Sequence, residues 1–224
     1  GAVYLENGSS LTFPESTLFE ENVASGNGAV VATSGEFDGG ISGNRFYMTG
    51  NRSESDGGMF YLDGDEDKEV VFELTNGTIT NNSGGVLKLL APKHQLVLQN
   101  MTIAFNEGLV LHLDEADLDP DVDPPEPVST AFIVNTVLVG NSGGVCAGTA
   151  LDGTDDADAR LLFTITDDAA NCPLPREQTE GTPVTLAPNG ATAEVLLGWN
   201  EETAQRAACA GTGLEACMPI PAEE

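Results

Sequence analysis

Basic residues are scarce in this sequence. Eight lysine and arginine residues stand against 36 acidic residues in a chain of 224, which gives a formal net charge of −28 at pH 7. Nucleic-acid binding requires lysine and arginine to neutralise phosphates, and anionic membrane surfaces attract basic segments. The charge therefore excludes nucleic acid and anionic membranes as partners. It favours a cationic partner, divalent metal ions, or simple solubility in a salty medium.

Long apolar runs, cysteines and histidines are also few. No stretch of 18 apolar residues occurs, so the sequence predicts no membrane-spanning helix and no direct membrane insertion. The only histidines are His94 and His112, and no two cysteines form a C-x-x-C pair, which argues against a structural zinc site. An even number of cysteines without metal-ligand spacing predicts disulfides and an oxidising, extracellular or cell-surface location. The cysteines are Cys146, Cys172, Cys209 and Cys217.

What the sequence does contain is a repeat. A glycine followed by a short apolar run recurs at intervals of 27, 30, 27, 23 and 36 residues. These glycines are Gly1, Gly28, Gly58, Gly85, Gly108 and Gly144. Before each return of the glycine comes an apolar residue, two further residues and an asparagine. The pairs are Phe19 with Asn22, Met48 with Asn51, Ile79 with Asn82, Ile103 with Asn106, Leu138 with Asn141, and a degenerate Ile165 with Asp168. Two motifs at a fixed relative position predict stacked structural units.

Each unit has the pattern of short β-strands separated by bends. Side chains on a strand alternate between its two faces, so we expect the residues two and four positions after each glycine to point inward. That expectation places Val30, Val110 and His112 in the core, and it leaves His94 at a surface turn. Each unit would pair with the next at a spacing of about 4.8 Å. Asparagines tolerate the bends, and we expect them to stack and hydrogen-bond along the axis in a structural role.

This pattern predicts an all-β fold, a right-handed parallel β-helix of about six coils over residues 1–175. Residues 176–224 would form a small C-terminal cap, because an end coil exposes strand edges that need a cover. The cap contains a predicted short helix, with Asn200 as its N-cap and Gly211 as its C-cap. At the other end, residues 1–5 would present an open edge. We expect it to be covered by upstream sequence, a neighbouring subunit or a segment swapped from another copy; the alternative is a frayed first coil in a protein that its charge keeps monomeric.

Three acidic insertions, at residues 63–69, 114–126 and 152–158, are expected to project from one corner of the stack. The longest is rich in carboxylate oxygens, which suit calcium, although a solvated loop without metal is the alternative. The candidate calcium ligands are Asp114, Asp117, Asp119, Asp121 and Asp123. No other cofactor is expected.

Five asparagines stand in Asn-x-Ser/Thr triplets, the acceptor sequence for N-glycosylation. These candidate modification sites are Asn7, Asn51, Asn76, Asn81 and Asn100.

Over residues 1–175 the glycine-apolar starts and apolar-x-x-Asn ends resemble the degenerate repeats of bacterial surface β-helices. These include the chlamydial polymorphic outer-membrane proteins and the choice-of-anchor proteins, although several starts here have lost one of the two usual glycines. The resemblance implies an exported, often adhesive or scaffolding protein. Residues 140–174 look like a closing coil stapled by a cysteine pair. Of the three pairings that four cysteines permit, we expect Cys146 with Cys172 and Cys209 with Cys217.

The expected function is that of a non-catalytic extracellular β-helix: an adhesive stalk, a surface scaffold or a subunit of an extracellular assembly. Its partners would be further copies of itself or other surface proteins. The alternative is a polysaccharide-binding or polysaccharide-cleaving protein of the pectate lyase-like kind. The one attractive acid pair, Asp167 with Asp168, is consecutive on a strand and so faces opposite sides, whereas two-carboxylate catalysis needs both groups flanking one bond. No catalytic residue is therefore assigned.

Overall fold

A computed structural model describes residues 1–14, 16–64, 69–91, 93–114, 129–148, 157–162, 164–166 and 184–185. These residues form β-strands, turns and bends, with no helix among them. The strands are numbered β1 to β21 in chain order, and every named pairing between them is parallel.

The first sheet takes one strand from each repeat, directly after the glycine. Its six strands lie in the order in which they occur along the chain. They are β1 (Val3–Leu5), β5 (Val31–Thr33), β9 (Phe60–Asp63), β12 (Leu87–Leu90), β15 (Leu111–Asp114) and β18 (Cys146–Ala147). The apolar residue at the start of each strand is in register with its equivalents, as Leu87 is with Phe60 on one side and Leu111 on the other.

The second sheet is built from the middle strand of each repeat. Its strands are β2 (Ser10–Phe13), β6 (Gly40–Asn44), β10 (Glu69–Thr75), β13 (Lys93–Gln99), β16 (Ser129–Val134) and β19 (Ala157–Leu162). Burial alternates along these strands: Phe72 and Leu74 are buried in β10, whereas Glu73 between them is exposed. The period-two pattern that predicted strands therefore also decides which side chains enter the core.

The third sheet has seven strands and takes the last strand of each repeat. They are β3 (Thr17–Glu20), β7 (Phe46–Thr49), β11 (Thr78–Thr80), β14 (Thr102–Ala104), β17 (Val137–Val139), β20 (Ile165–Thr166) and β21 (Val184–Thr185). Two short strands after the asparagine corner, β4 (Val23–Ala24) and β8 (Arg52–Ser53), pair with each other.

Successive repeats thus add one strand to each of three sheets, and the sheets stack parallel strands as a parallel β-helix does. The predicted all-β fold with parallel strands is confirmed. The chain divides into two compact units, Gly1–Thr185 and Leu186–Glu224. The sequence placed this boundary after residue 175, and β21 lies beyond that point. The predicted helix between Asn200 and Gly211 lies outside the described residues.

The core is apolar and lies between the sheets. Phe60 and Phe72 meet edge to face with ring centroids 5.0 Å apart, and both are at most 1% exposed. Leu89, Leu96 and Ile79 are fully buried from three different strands. Burial of such side chains is worth about 1.5–3 kcal/mol each, so the repeated apolar positions hold the sheets together.

Val30 and Val110 are fully buried in the core, as predicted. The strand register is shifted by one residue in these two repeats, because Val31 and Leu111 are the residues in register with the inward residues of neighbouring strands. The second repeat has an extra residue before its strand, and the backbone N–H groups of Val30 and Val31 both donate to the Met59 carbonyl at 3.0 Å. Because the residues directly before and after Val30 and Val110 are apolar in both repeats, period-two counting could not detect a slip of one residue, which reverses the faces of the residues that follow.

Both histidine placements are reversed, that of His112 because of this shift and that of His94 for a separate reason. His112 lies on the outer face of β15, with its side chain 31% exposed. His94 points inward from β13 and is 1% exposed, with Nδ1 at 2.9 Å from the Ala91 carbonyl. The Ala-Pro-Lys segment before His94 indicated a turn, but β13 begins at Lys93, and alternation then turns the next residue inward.

Candidate functional site

The asparagine at the end of each third-sheet strand belongs to a continuous ladder along the stack, which we call the inner ladder (Asn22, Asn51, Asn82, Asn106 and Asn141). At each step the side-chain Oδ1 of one asparagine accepts from both the backbone N–H and the Nδ2 of the asparagine in the preceding repeat. The Nδ2 to Oδ1 distances are 2.8, 2.9, 2.9 and 3.0 Å from the first step to the last. The three central members are 1% exposed. The expected structural role of these asparagines is confirmed.

From Asn51 onward, each ladder amide also reaches back to the preceding repeat. The Nδ2 of Asn51 donates to the Phe19 carbonyl at 2.9 Å, and the Nδ2 of Asn82 donates to the Met48 carbonyl at 3.3 Å. The acceptor is always the apolar residue three positions before the neighbouring asparagine. The apolar-x-x-Asn motif therefore contains the acceptor and the donor of one buried network, in which Asn51, Asn82 and Asn106 use both amide hydrogens.

A second ladder, on the outside, was missed from the sequence. This outer ladder comprises Asn44, Asn76, Asn100 and Asn135, with Nδ2 to Oδ1 distances of 2.9, 3.0 and 3.3 Å. Three of its members have positive φ values of 54°, 55° and 49°, a conformation that asparagine tolerates well. Its last two steps span 24 and 35 residues, the same spacings as the last two steps of the inner ladder. That shared spacing was the signal available in the sequence.

The ladders bear directly on the candidate glycosylation sites. Asn51 is 1% exposed and donates both amide hydrogens, so in this fold its side-chain nitrogen is not accessible for glycosylation. Asn76 and Asn100 are exposed members of the outer ladder, and Asn7 and Asn81 are exposed as well. Glycosylation at these four positions stays a prediction.

The acidic insertions leave from equivalent points of the fold. β9 and β15 end at Asp63 and Asp114, which align through Leu90 of the strand between them. The chain then returns to the second sheet at β10 and β16, and the third insertion likewise connects β18 with β19. The insertions therefore depart along one edge of the first sheet, in agreement with the single corner that was expected.

Of the candidate calcium ligands, only Asp114 lies within the described residues. Its Oδ2 is 2.8 Å from His112 Nε2. The part of the chain that the structure describes contains no cluster of three or more His, Cys, Asp or Glu side chains able to hold a metal ion. Asp117, Asp119, Asp121 and Asp123 lie outside it, so calcium binding stays a prediction.

The outer face of the first sheet carries a polar row, Tyr61, Lys88 and His112, in register on three adjacent strands. We call it the Tyr–Lys–His row. Asp63 and Asp114 share this face because each lies two residues beyond a member of the row. Burial and the negative charge of Asp63 raise the pKa of Tyr61, against a hydrogen bond with Asn27 that lowers it. The row combines an aromatic ring, a cation and a histidine–carboxylate pair. The acid pair Asp167 and Asp168 lies outside the described residues.

The first repeat presents an open end, which we define as β1, β2, β3 and Asn22. Each of these strands is the last in its sheet, with a partner on one side only among the described residues. Core residues at this end are incompletely covered, since Val3, Leu11 and Phe19 are only partly buried. The four exposed large hydrophobic residues among those described all belong to the first two repeats. They are Tyr4 at 63%, Leu18 at 56%, Val23 at 62% and Tyr47 at 39% exposure.

Aromatic rings close the core just behind this end. Phe13 contacts Phe19 and Phe46 edge to face, with centroid distances of 5.3 and 5.2 Å. Gly43 makes room for this cluster, because a Cβ on Gly43 would overlap the Phe13 ring. Because Phe13 packs against Phe46 of the second repeat, the core is filled by aromatic side chains up to the open end.

Cys146 lies in β18, is 4% exposed and is disulfide-bonded. Its partner lies outside the described residues, as do Cys172, Cys209 and Cys217, so the proposed pairings stay predictions.

No protein family model matches the sequence, and no curated protein or solved structure matches it. Within the described residues, no helix has the length and apolar character needed to cross a membrane.

Proposed function

We propose that this chain is a non-catalytic extracellular β-helix that acts as a stalk, surface scaffold or assembly subunit. The proposed architecture is right-handed, with about six coils and a C-terminal cap. Crossovers between parallel strands of one sheet are right-handed in about 98% of cases, which supports the handedness. The disulfide at Cys146 supports an oxidising, extracellular or cell-surface location.

The observation that carries the scaffold role is the group of exposed apolar side chains on the first two repeats, Tyr4, Leu18, Val23 and Tyr47. Concentrated exposed apolar residues mark interaction surfaces. Leu18 and Tyr47 are in register on neighbouring strands, so they lie next to each other on the outer face of the third sheet. The next two equivalents of Leu18 and Tyr47 in this column are Thr78 and Thr102, which are polar. The column becomes apolar again at Val137, but among the described residues large hydrophobic side chains are exposed only in the first two repeats, as expected for a surface that a partner covers.

The test is the molecular mass of the intact native protein as a function of concentration, with a Leu18→Lys variant. We expect the native protein to associate and Leu18→Lys to shift it toward the monomer by at least about tenfold in Kd, because burying an unpaired ammonium is costly. Thr102→Lys is the matched control, since it adds the same charge to the same outer column in a central repeat. A monomeric native protein, or equal effects of the two variants, would contradict the proposal.

A second candidate is polysaccharide binding, favoured by the Tyr–Lys–His row. An aromatic ring can pack against a sugar. Lys88 and the His112–Asp114 pair lie on two neighbouring strands and provide hydrogen-bonding groups. The scarcity of lysine and arginine argues for a neutral rather than an acidic glycan.

This candidate is tested by retention of the protein on a panel of neutral and acidic oligosaccharides. We expect Tyr61→Ala to abolish retention on neutral glycans, and Tyr47→Ala, which removes an exposed ring from the third sheet, to leave it unchanged. Absence of retention for the unmodified protein would remove this candidate.

A further inference from the structure

The outer face of the first sheet carries two columns of side chains that run along the stack. The first is the Tyr–Lys–His row, with Ala32 and Ala147 in register at its two ends. The second consists of Asp63, Leu90 and Asp114, which are in register on the same three strands. Side chains two positions apart on a strand share a face, so the two columns lie side by side. The face therefore offers three neighbouring positions, one on each of β9, β12 and β15, with two outward side chains at each.

The position on β9 has the groups that hold a sugar ring. Tyr61 is half-buried, and its hydroxyl forms a hydrogen bond with Asn27. Within the described residues, neither the Asp63 carboxylate nor the Lys88 ammonium on the neighbouring strand has a hydrogen bond or ion pair with another side chain. A sugar hydroxyl can accept from an ammonium and donate to a carboxylate at the same time. A ring that packs on Tyr61 can therefore satisfy both charged groups with its own hydroxyls.

The carboxylates of the second column recur at every second strand. Asp63 and Asp114 are each in register with Leu90 on the strand between them. Their Cα atoms are therefore two strand spacings, about 9.6 Å, apart along the stack, and an apolar side chain separates them. In an extended β-1,4-linked hexose chain, each ring is turned over relative to its neighbour and advances the chain by nearly one strand spacing. Such a chain presents the same polar edge at every second ring, which is the period of the two carboxylates.

Resting on polysaccharide binding, the second candidate function, we propose that the outer face of the first sheet binds an uncharged, extended β-1,4-linked hexose chain that lies along the stack with one ring on each strand. The ring over β9 packs on Tyr61, with its hydroxyls between Asp63 and Lys88. The ring over β15 forms hydrogen bonds with the His112–Asp114 pair. The turned-over ring between them packs against Leu90.

This face disfavours other glycans for two reasons. A carboxylate or sulfate group on the sugar would be repelled by Asp63 and Asp114, which lie on both sides of the middle strand. Chains with α-1,4 or β-1,3 links wind into helices, so their rings leave a straight column after a few units. Ala32 and Ala147 are small, so a long straight chain can continue past both ends of the row.

The test measures the binding of four uncharged hexasaccharides to the full chain by calorimetry. Two are β-1,4-linked, cellohexaose and mannohexaose, and two have other links, β-1,3 in laminarihexaose and α-1,4 in maltohexaose. We expect at least one β-1,4-linked hexasaccharide to bind at least about tenfold more tightly than laminarihexaose and maltohexaose. In that same series the trisaccharide should bind at least about tenfold more tightly than the disaccharide, because three rings make the shortest chain that reaches both carboxylates.

The position of the sugar chain is tested with Asp63→Asn and Glu73→Gln, which each remove one negative charge. Asp63→Asn should weaken binding of the preferred hexasaccharide by at least about tenfold, because a hydrogen bond to a charged acceptor becomes a weaker neutral one. Glu73→Gln is the matched control, since Glu73 is exposed on the outer face of the second sheet, and it should leave binding unchanged.

Equal binding of the four hexasaccharides, or equal effects of the two variants, would overturn this inference and leave polysaccharide binding in place. If none of the four hexasaccharides binds, this inference and the polysaccharide candidate both fail, and the scaffold function stands.

Discussion

The imidazole ring of His94 lies inside the core, where His94 is in register with Val70 of the adjacent strand. Burial lowers its pKa below the ordinary value of 6.5, and the hydrogen bond with the Ala91 carbonyl only partly opposes this. The unfolded chain therefore binds a proton at a pH where the folded chain does not. By linkage, the contribution of His94 to the free energy of unfolding is fully present above about pH 6.5 and decreases as the pH falls below that value.

We accordingly expect the unmodified protein to lose stability between pH 7 and pH 5 more steeply than a His94→Gln variant, by up to about 1.4 kcal/mol per pH unit. The measurement is the urea midpoint at a series of pH values. Subtracting the two curves cancels the carboxylates common to both proteins. Parallel curves for the unmodified protein and His94→Gln would contradict the buried assignment.

At the scale of elements, the inner ladder holds the corners of successive repeats in line. Asn82 donates to Asn106 Oδ1, Met48 O and Thr80 O while accepting from Asn51. An aspartate at this position would still accept from Asn51. It would lose all its donors and bury a charge among acceptors, and an unsatisfied buried group costs about 1–3 kcal/mol even when it is uncharged.

Asn82→Asp should therefore lower the free energy of unfolding by at least about 3 kcal/mol, measured by urea denaturation. The adjacent Asn81→Asp is a matched control, because Asn81 is exposed and has a φ of 56°, which aspartate also tolerates. This control should change the stability by less than about 0.5 kcal/mol. Similar losses in both variants would show that the ladder is not a stabilising network.

The elements also show where sequence reasoning was sufficient. The glycine spacing and the apolar-x-x-Asn motif located the three strands of each repeat and the inner ladder, because both depend on local geometry that recurs. The outer ladder was equally periodic, but its asparagines are not followed by the glycine-apolar start that located the inner ladder, so they did not stand out from an Asn-rich background. The Tyr–Lys–His row was missed because its members come from three different repeats and share a face only after the register of β15 is known.

At the scale of the whole molecule, two features act against each other. The charge of −28 disfavours association between copies of the chain, whereas the exposed apolar residues of the first two repeats favour an interface. The contrast between Leu18→Lys and Thr102→Lys tests which feature governs this end. A partner less acidic than the chain itself would satisfy both.

The sequence by itself determined the repeat, the parallel all-β architecture and the stacking of Asn22, Asn51, Asn82, Asn106 and Asn141. These follow from alternation at period two and from motifs repeated at regular intervals. Only the tertiary structure decided which face His94 and His112 occupy, because within an apolar run every residue satisfies the pattern and a shift of one residue exchanges inside and outside. It alone also revealed the direction of the ladder, since the direction of a hydrogen bond depends on the contact between two repeats and cannot be read from the sequence of either repeat.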